Sequence, residues 1–188
     1  MHYTVMQFGE GNFMRSFFDW MLQRICIATG AEHKVFLVQP IPNGRVKEIV
    51  DAGEYHVLLK GFEDGEYKEL LEPVSVIAGG ANPFARGGLE AMLDAALSPE
   101  LRVVASNTTE AGIFFEERTE PHNFPSLLAA ALHARAKKDL PPLHILPMEL
   151  IENNGETLKT CVGQYGRLRG YEPLFFSYLD SCIFYDTL

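Results

Sequence analysis

The sequence predicts an α/β protein: a doubly wound, mainly parallel sheet that carries an inserted β-hairpin. Three features predict it. A strand, a glycine turn, a helix and a second strand follow one another over residues 3–38, and short apolar strands alternate with helical stretches beyond them. Between these, the turn signal Glu63-Asp64-Gly65 separates two extended segments.

The first strand, Tyr3 to Phe8, is rich in aromatic and β-branched residues and stops at Gly9-Glu10-Gly11. From Asn12 to about Ala28, Met14, Phe18, Met21, Leu22 and Ile25 fall at helical spacing, with Phe13, Phe17 and Trp20 in a second apolar stripe. So apolar a helix is expected to lie buried against the sheet, capped by Asn12 and stopped by Gly30. Val35 to Val38 is a continuous apolar run closed by Gln39-Pro40, as a strand covered on both faces requires. Tyr55 to Gly61 and Tyr67 to Ile77 form the hairpin, with Pro73 marking an edge. Asn82 to Leu97 reads as a helix begun by Pro83, Arg102 to Ser106 as a strand, and Phe124 to Lys138 as a helix ended by Asp139 and Pro141-Pro142. A short strand over Leu143 to Met148 and helices from Asn154 and Pro173 complete the pattern.

Composition narrows the partners. The 188 residues sit within the roughly 100–200 typical of one domain. The 47% hydrophobic and 22% charged fractions are those of an ordinary globular chain with a core. The formal charge of -9 has the wrong sign for neutralising nucleic-acid backbones or anionic lipid, so neither is an expected partner. A locally held anionic cofactor stays compatible with that charge, because a helix N-terminus binds phosphate through its own amides. Cys26, Cys161 and Cys182 are odd in number and lack CxxC spacing, which fits a reducing cytoplasm and no zinc site. The histidines form no HxxxH or HExxH pair, no apolar run approaches the roughly 18 residues of a bilayer span, and residues 1–6 lack the features of a signal peptide.

The candidate chemistry gathers at strand ends. Gly9-x-Gly11, after the first strand and before a helix, stands where doubly wound sheets bind a dinucleotide pyrophosphate. The third glycine of GxGxxG is replaced by Met14, and the same pair of glycines also serves as a plain tight connection. Arg15, one turn into the helix, either reaches back to the pyrophosphate or is a solvated helix residue. Gln39 holds the place from which NAD enzymes often offer a carboxylate to the ribose 2′-OH; it can bond a ribose hydroxyl without repelling a 2′-phosphate, leaving NAD against NADP open. Ser106, Asn107, Thr108, Thr109 and Glu110 share that sheet edge and suit the nicotinamide half, or a loop and cap role. Glu149 and Asn154, at the next strand end, form either a substrate-facing rim or a helix cap. The glycines near 79–88 lack Gly-Lys-Ser/Thr, so no P-loop is expected.

Gln7-Phe8-Gly9-Glu10-Gly11-Asn12-Phe13-Met14-Arg15, Ser106 to Ile113, and Glu149-Leu150-Ile151 with Asn154-Gly155 together resemble the long-chain mannitol dehydrogenase family, in order and across nearly the whole chain. That family shares the loss of the third glycine in a GxGxxxR pattern. Leu150 favours its sugar-acid branch. The resemblance implies a Rossmann domain, partial over residues 1–188, that binds NAD within an enzyme interconverting a keto sugar acid, tagaturonate, and its alcohol, altronate. It implies Gly9, Gly11, Asn12, Phe13 and Arg15 at the pyrophosphate and adenosine half, Gln39 at the ribose, and Ser106 to Glu110 at the nicotinamide side. It places the family's lysine base in a helical C-terminal domain outside these residues, so no catalytic residue is assigned here. The rivals are a mannitol or fructuronate dehydrogenase and, from other classes, an S-adenosylmethionine-dependent methyltransferase or a non-catalytic nucleotide-binding module.

Overall fold

The computed structural model describes residues 2–188. Six parallel strands form one sheet: β1 (Val5–Phe8), β2 (Val35–Val38), β5 (Ile77–Ala81), β6 (Val103–Ser106), β7 (His144–Pro147) and β8 (Ile183–Phe184), in the order β5-β2-β1-β6-β7-β8. The chain winds outward from β1 in one direction and then from β6 in the other. The reversal between β1 and β6 is the topological switch point, where adjacent loops part and leave a crevice. Registers bring Phe8, Val38, Ser106 and Pro147 level, so four strands end along one edge.

Alternation along the strands feeds two cores. Met6, Phe8, Phe36 and Val38 face the helices α3 (Gly88–Ala96), α4 (Phe124–Lys137), α5 (Asn154–Leu168) and α6 (Pro173–Ser181). Val5, Val35 and Leu37 face the other way, toward α1 (Asp19–Thr29), α2 (Val46–Ala52) and the hairpin of β3 (Tyr55–Glu63) and β4 (Glu66–Val74). Among the described residues, no helix is long and apolar enough to cross a membrane.

Several expectations need correction. The second hairpin arm ends at Val74, not Ile77, and Ile77–Ala81 is an outer strand of the main sheet. Its Gly79-Gly80 pair looks like loop composition, yet a Cβ on Gly80 would lie 2.6 Å from the Leu37 carbonyl oxygen, so glycine is what lets this strand pack. The helix expected from Asn82 forms only at Gly88, because Asn82 accepts from the Phe84 amide (2.9 Å) in a turn and Gly87 takes φ 77°. The short α2 and β8 carried no periodicity long enough to register. The helix after the glycine turn is not uniformly buried: Phe13, Phe17, Met21 and Ile25 are 42–47% exposed. Asn12 does not cap it; its Oδ1 instead accepts from Arg15 Nη2 at 2.7 Å.

Candidate functional site: the crevice at the switch point

Gly9 joins β1 to the helix with φ 105°, a conformation that excludes most side chains. A Cβ there would also lie 2.5 Å from the Asn107 carbonyl oxygen, so this glycine lets the first loop close against the loop after β6. Gly11 differs. Its φ is ordinary and a Cβ would meet nothing within 4 Å, so the chain's own packing does not call for glycine. What its bare backbone does provide is room for a ligand to approach the helix start. Residues 14–18 then wind as a π turn, with the Asp19 amide bonded to the Met14 carbonyl, an irregularity frequent at functional sites.

Arg15 folds back over the turn. Its Nε donates to the Glu10 carbonyl (3.0 Å), and the guanidinium lies 5.9 Å from the centre of the Tyr55 ring. Beneath it sits a buried polar chain. Gln7 Nε2 donates to the Gly9 carbonyl (3.1 Å) and to Asp19 Oδ2 (3.4 Å), while the Tyr55 hydroxyl is 2.8 Å from the Arg15 carbonyl and 3.1 Å from the same Asp19 oxygen. Burial holds the Asp19 carboxyl up to about 7, against the smaller opposing pulls of Tyr55, Gln7 and Arg15. The hairpin is thereby tied through Tyr55 to the glycine turn. Sequence reasoning missed this network; the signal was a carboxylate at position 19 inside an apolar helical pattern.

The strand-end residues are brought together, though in other roles than expected. Gln39 was expected at a ribose, yet it is buried: Nε2 donates to the Ile41 carbonyl (2.8 Å) and Oε1 accepts from the Val46 amide (3.2 Å). It satisfies the start of α2, which has no side-chain cap of its own. Glu149 was expected on a substrate rim, yet it is 1% exposed; Oε2 accepts from Ser106 Oγ (3.0 Å) and Oε1 from the Thr108 amide and hydroxyl (both 2.9 Å). Asn154, also buried, donates from Nδ2 to the carbonyls of Pro147 and Glu149 (both 3.0 Å). Asn107 Nδ2 donates to the Met148 carbonyl (2.6 Å). Ser106, Asn107, Glu149 and Asn154 therefore lock the β6 and β7 loops into one rim. Thr109, β-branched yet at φ 80°, stores backbone strain on that rim, and Glu110 beside it is exposed.

Two cavities flank the turn. One, of about 270 Å³, lies between Pro40–Pro42 after β2 and the segment from Thr108 to Phe114. The other, about 330 Å³ and mainly apolar, is lined by Phe13, Phe17, Met148, Glu149 and Leu150 together with Thr187 and Leu188. A crevice at the switch point, a helix start behind a glycine turn and a cavity to either side define a doubly wound protein of the dinucleotide-binding type.

The particular family follows from residues 3–180, which match the Rossmann domain of mannitol dehydrogenase; the chain belongs to this family. It is 36% identical to an altronate oxidoreductase of Halalkalibacterium halodurans over 94% of its length, and 36% identical to one of Bacteroides thetaiotaomicron over 98%. It spans 36% and 40% of those two relatives. The fold is also that of Pseudomonas fluorescens mannitol 2-dehydrogenase, solved as a ternary complex with NAD and D-mannitol (TM-score 0.80, 16% identity, 98% of this chain and 40% of that one). A D-sorbitol dehydrogenase is similar at TM-score 0.79 and 16% identity, over 98% of this chain and 41% of that one.

Proposed function

We propose that residues 1–188 are the NAD-binding part of an oxidoreductase that interconverts a keto sugar acid, tagaturonate, with its alcohol, altronate. Support for the sugar-acid substrate comes from the altronate oxidoreductases, 36% identical, against 16% for the solved polyol dehydrogenases. The observation that carries the cofactor reading is Gly11, whose missing side chain opens the helix start to a ligand while leaving the chain's own packing untouched.

In this reading Gly9 and Gly11 admit the pyrophosphate to the first-turn amides of Asn12 and Phe13, whose partial positive charge favours an anion. Arg15 keeps the turn in shape through the Glu10 carbonyl and adds a positive charge beside it. Thr108 and Thr109, expected at the nicotinamide half, border instead the cavity on the β2 side, suited to the adenosine. The apolar cavity beside Phe13, Met148 and Leu150 suits the nicotinamide and excludes water from it. Glu149 and Asn154 act as braces that fix this rim. Bound NAD supplies the hydride acceptor and donor for the alcohol and ketone; these residues supply its position.

Titrating the 188-residue chain with NADH tests the proposal. Binding is expected, with no turnover of tagaturonate. Gly11→Val should weaken binding more than tenfold with an unchanged unfolding midpoint, since its side chain fills only ligand space. Binding of S-adenosylmethionine in place of NADH would sink the reading.

A further inference from the structure

We propose that Glu10, in the first glycine turn, is the residue that selects NAD over NADP, replacing the carboxylate that doubly wound enzymes usually offer from the end of β2. The inference rests on the dinucleotide reading above and deepens it.

The usual supplier is missing from this chain. β2 ends in Gln39-Pro40, Gln39 is consumed by Ile41 and Val46, and no acidic residue follows before Glu48. Glu48 is engaged by Arg45 Nε at 2.9 Å. The turn sends a carboxylate across to the same place. Glu10 Oε1 accepts from the Arg45 backbone amide at 2.5 Å, binding the loop after β2 to the loop after β1. Gly44 makes room for this crossing, because a Cβ on it would collide with Glu10 Oε1 and with the Gln39 amide.

The second oxygen decides the chemistry. Among the described residues, Glu10 Oε2 is one of four buried side-chain atoms with no hydrogen-bond partner. A buried acceptor without a donor is costly, and native proteins seldom keep one without a use. Its neighbours in the sequence open the pyrophosphate crevice, and its partner Arg45 follows the Pro40–Pro42 wall of the adenosine cavity. Glu10 lines neither of the two cavities and Oε2 is covered, so a ribose 2′-hydroxyl reaches it only as the loops after β1 and β2 part around the ligand; it is then a donor of the right kind. A 2′-phosphate in that position would bring like charge against the carboxylate. Arg45, exposed at this loop and paired there with Glu48, would turn from Glu48 to a 2′-phosphate as its counter-charge once the Glu10 carboxylate is removed.

The test is titration of the full 188-residue chain with NADH, NADPH and an NADH lacking the 2′-hydroxyl on its adenosine ribose, each on wild type and Glu10→Gln. Glutamine retains an acceptor for the Arg45 amide, so the tether survives while the charge is lost. Wild type should bind NADH at least about tenfold more tightly than NADPH, and the variant should cut that ratio by about tenfold. Removing the 2′-hydroxyl should weaken binding to wild type about tenfold and to Glu10→Gln far less. This wild-type measurement needs no variant to fold. If NADH binds but the ratio and the 2′-hydroxyl effect are unchanged by the substitution, or all three ligands weaken equally, Glu10 is only a tether and the proposal fails alone. If no nucleotide binds wild type, the dinucleotide reading fails and takes this one with it.

Discussion

α1 and α4 cover opposite faces of the same sheet and are finished in opposite ways. Ten of the 14 residues of α4 are buried, in a core shared with α3, α5 and α6. On α1 the single buried residue is Asp19, a carboxylate; Trp20, Leu22 and Cys26 are partly covered by sheet and hairpin, and Met21 and Ile25 face outward. The difference separates two tasks. The α4 face closes on itself and supplies stability, whereas the α1 face holds a polar chain under the glycine turn and leaves its apolar side continuous with the cavity at Phe13 and Phe17.

The closed face also contains a charge, and removing it should give the largest effect. Arg135 is fully buried, and its guanidinium donates to the carbonyls of Ala96 (2.6 Å), Ser98 (3.0 Å) and Pro141 (2.8 Å) and to the Tyr178 hydroxyl (2.9 Å). It joins α4 to the end of α3, to the approach to β7 and to α6. Arg135→Ala leaves those acceptors without donors and opens a void, so a loss of about 3–5 kcal/mol is expected in urea unfolding. A loss below 1 kcal/mol would mean that this face is not the stabilising one.

The α1 face should instead respond to pH. Asp19 titrates near 7 in the folded protein against an ordinary 3.8, chiefly through burial, so the native state holds a proton that the unfolded chain releases. That contribution is complete below about pH 4 and is lost as pH rises through 7. Wild type should therefore lose up to about 4 kcal/mol of stability across this window relative to Asp19→Asn, which carries no titrating group there. Parallel stability curves for the two proteins from pH 4 to 8 would refute the assignment.

The same contrast explains what could be read from the amino acids. Residues 35–38, all apolar, reveal a central strand because burial on both faces leaves no other composition, and Gly9-x-Gly11 reveals the turn because backbone geometry demands it. Ile77–Ala81 was hidden because two of its five residues are glycines, required by the close Leu37 backbone and by Tyr3, contacts from distant parts of the chain. In the site, residue types at strand ends showed where polar groups gather. They did not show direction: Gln39, Glu149 and Asn154 turn inward because the start of α2, the Thr108 amide and the Pro147 carbonyl need partners there. Glu10 and Asp19 stand in and just behind the first motif but received no role, since their partners, Arg45 and Tyr55, lie 35 and 36 residues away.

The smallest expected effect probes the open side of α1 itself. Phe17 is 47% exposed and stacks on Phe13 with ring centres 5.0 Å apart, so what it buries is chiefly another exposed ring. Serine at this position gives up part of one aromatic contact, leaves helix propensity about unchanged, and gains by removing apolar surface from water. These terms nearly cancel, and Phe17→Ser should unfold within about 0.5 kcal/mol of wild type, as surface substitutions generally do. Its consequence belongs to the cavity shared with Met148 and Leu150, where one wall would become polar and wetter. A stability loss above 2 kcal/mol in Phe17→Ser would instead show that the α1 stripe is packed as the α4 side is, and the division between a stabilising face and a site-bearing face would not hold.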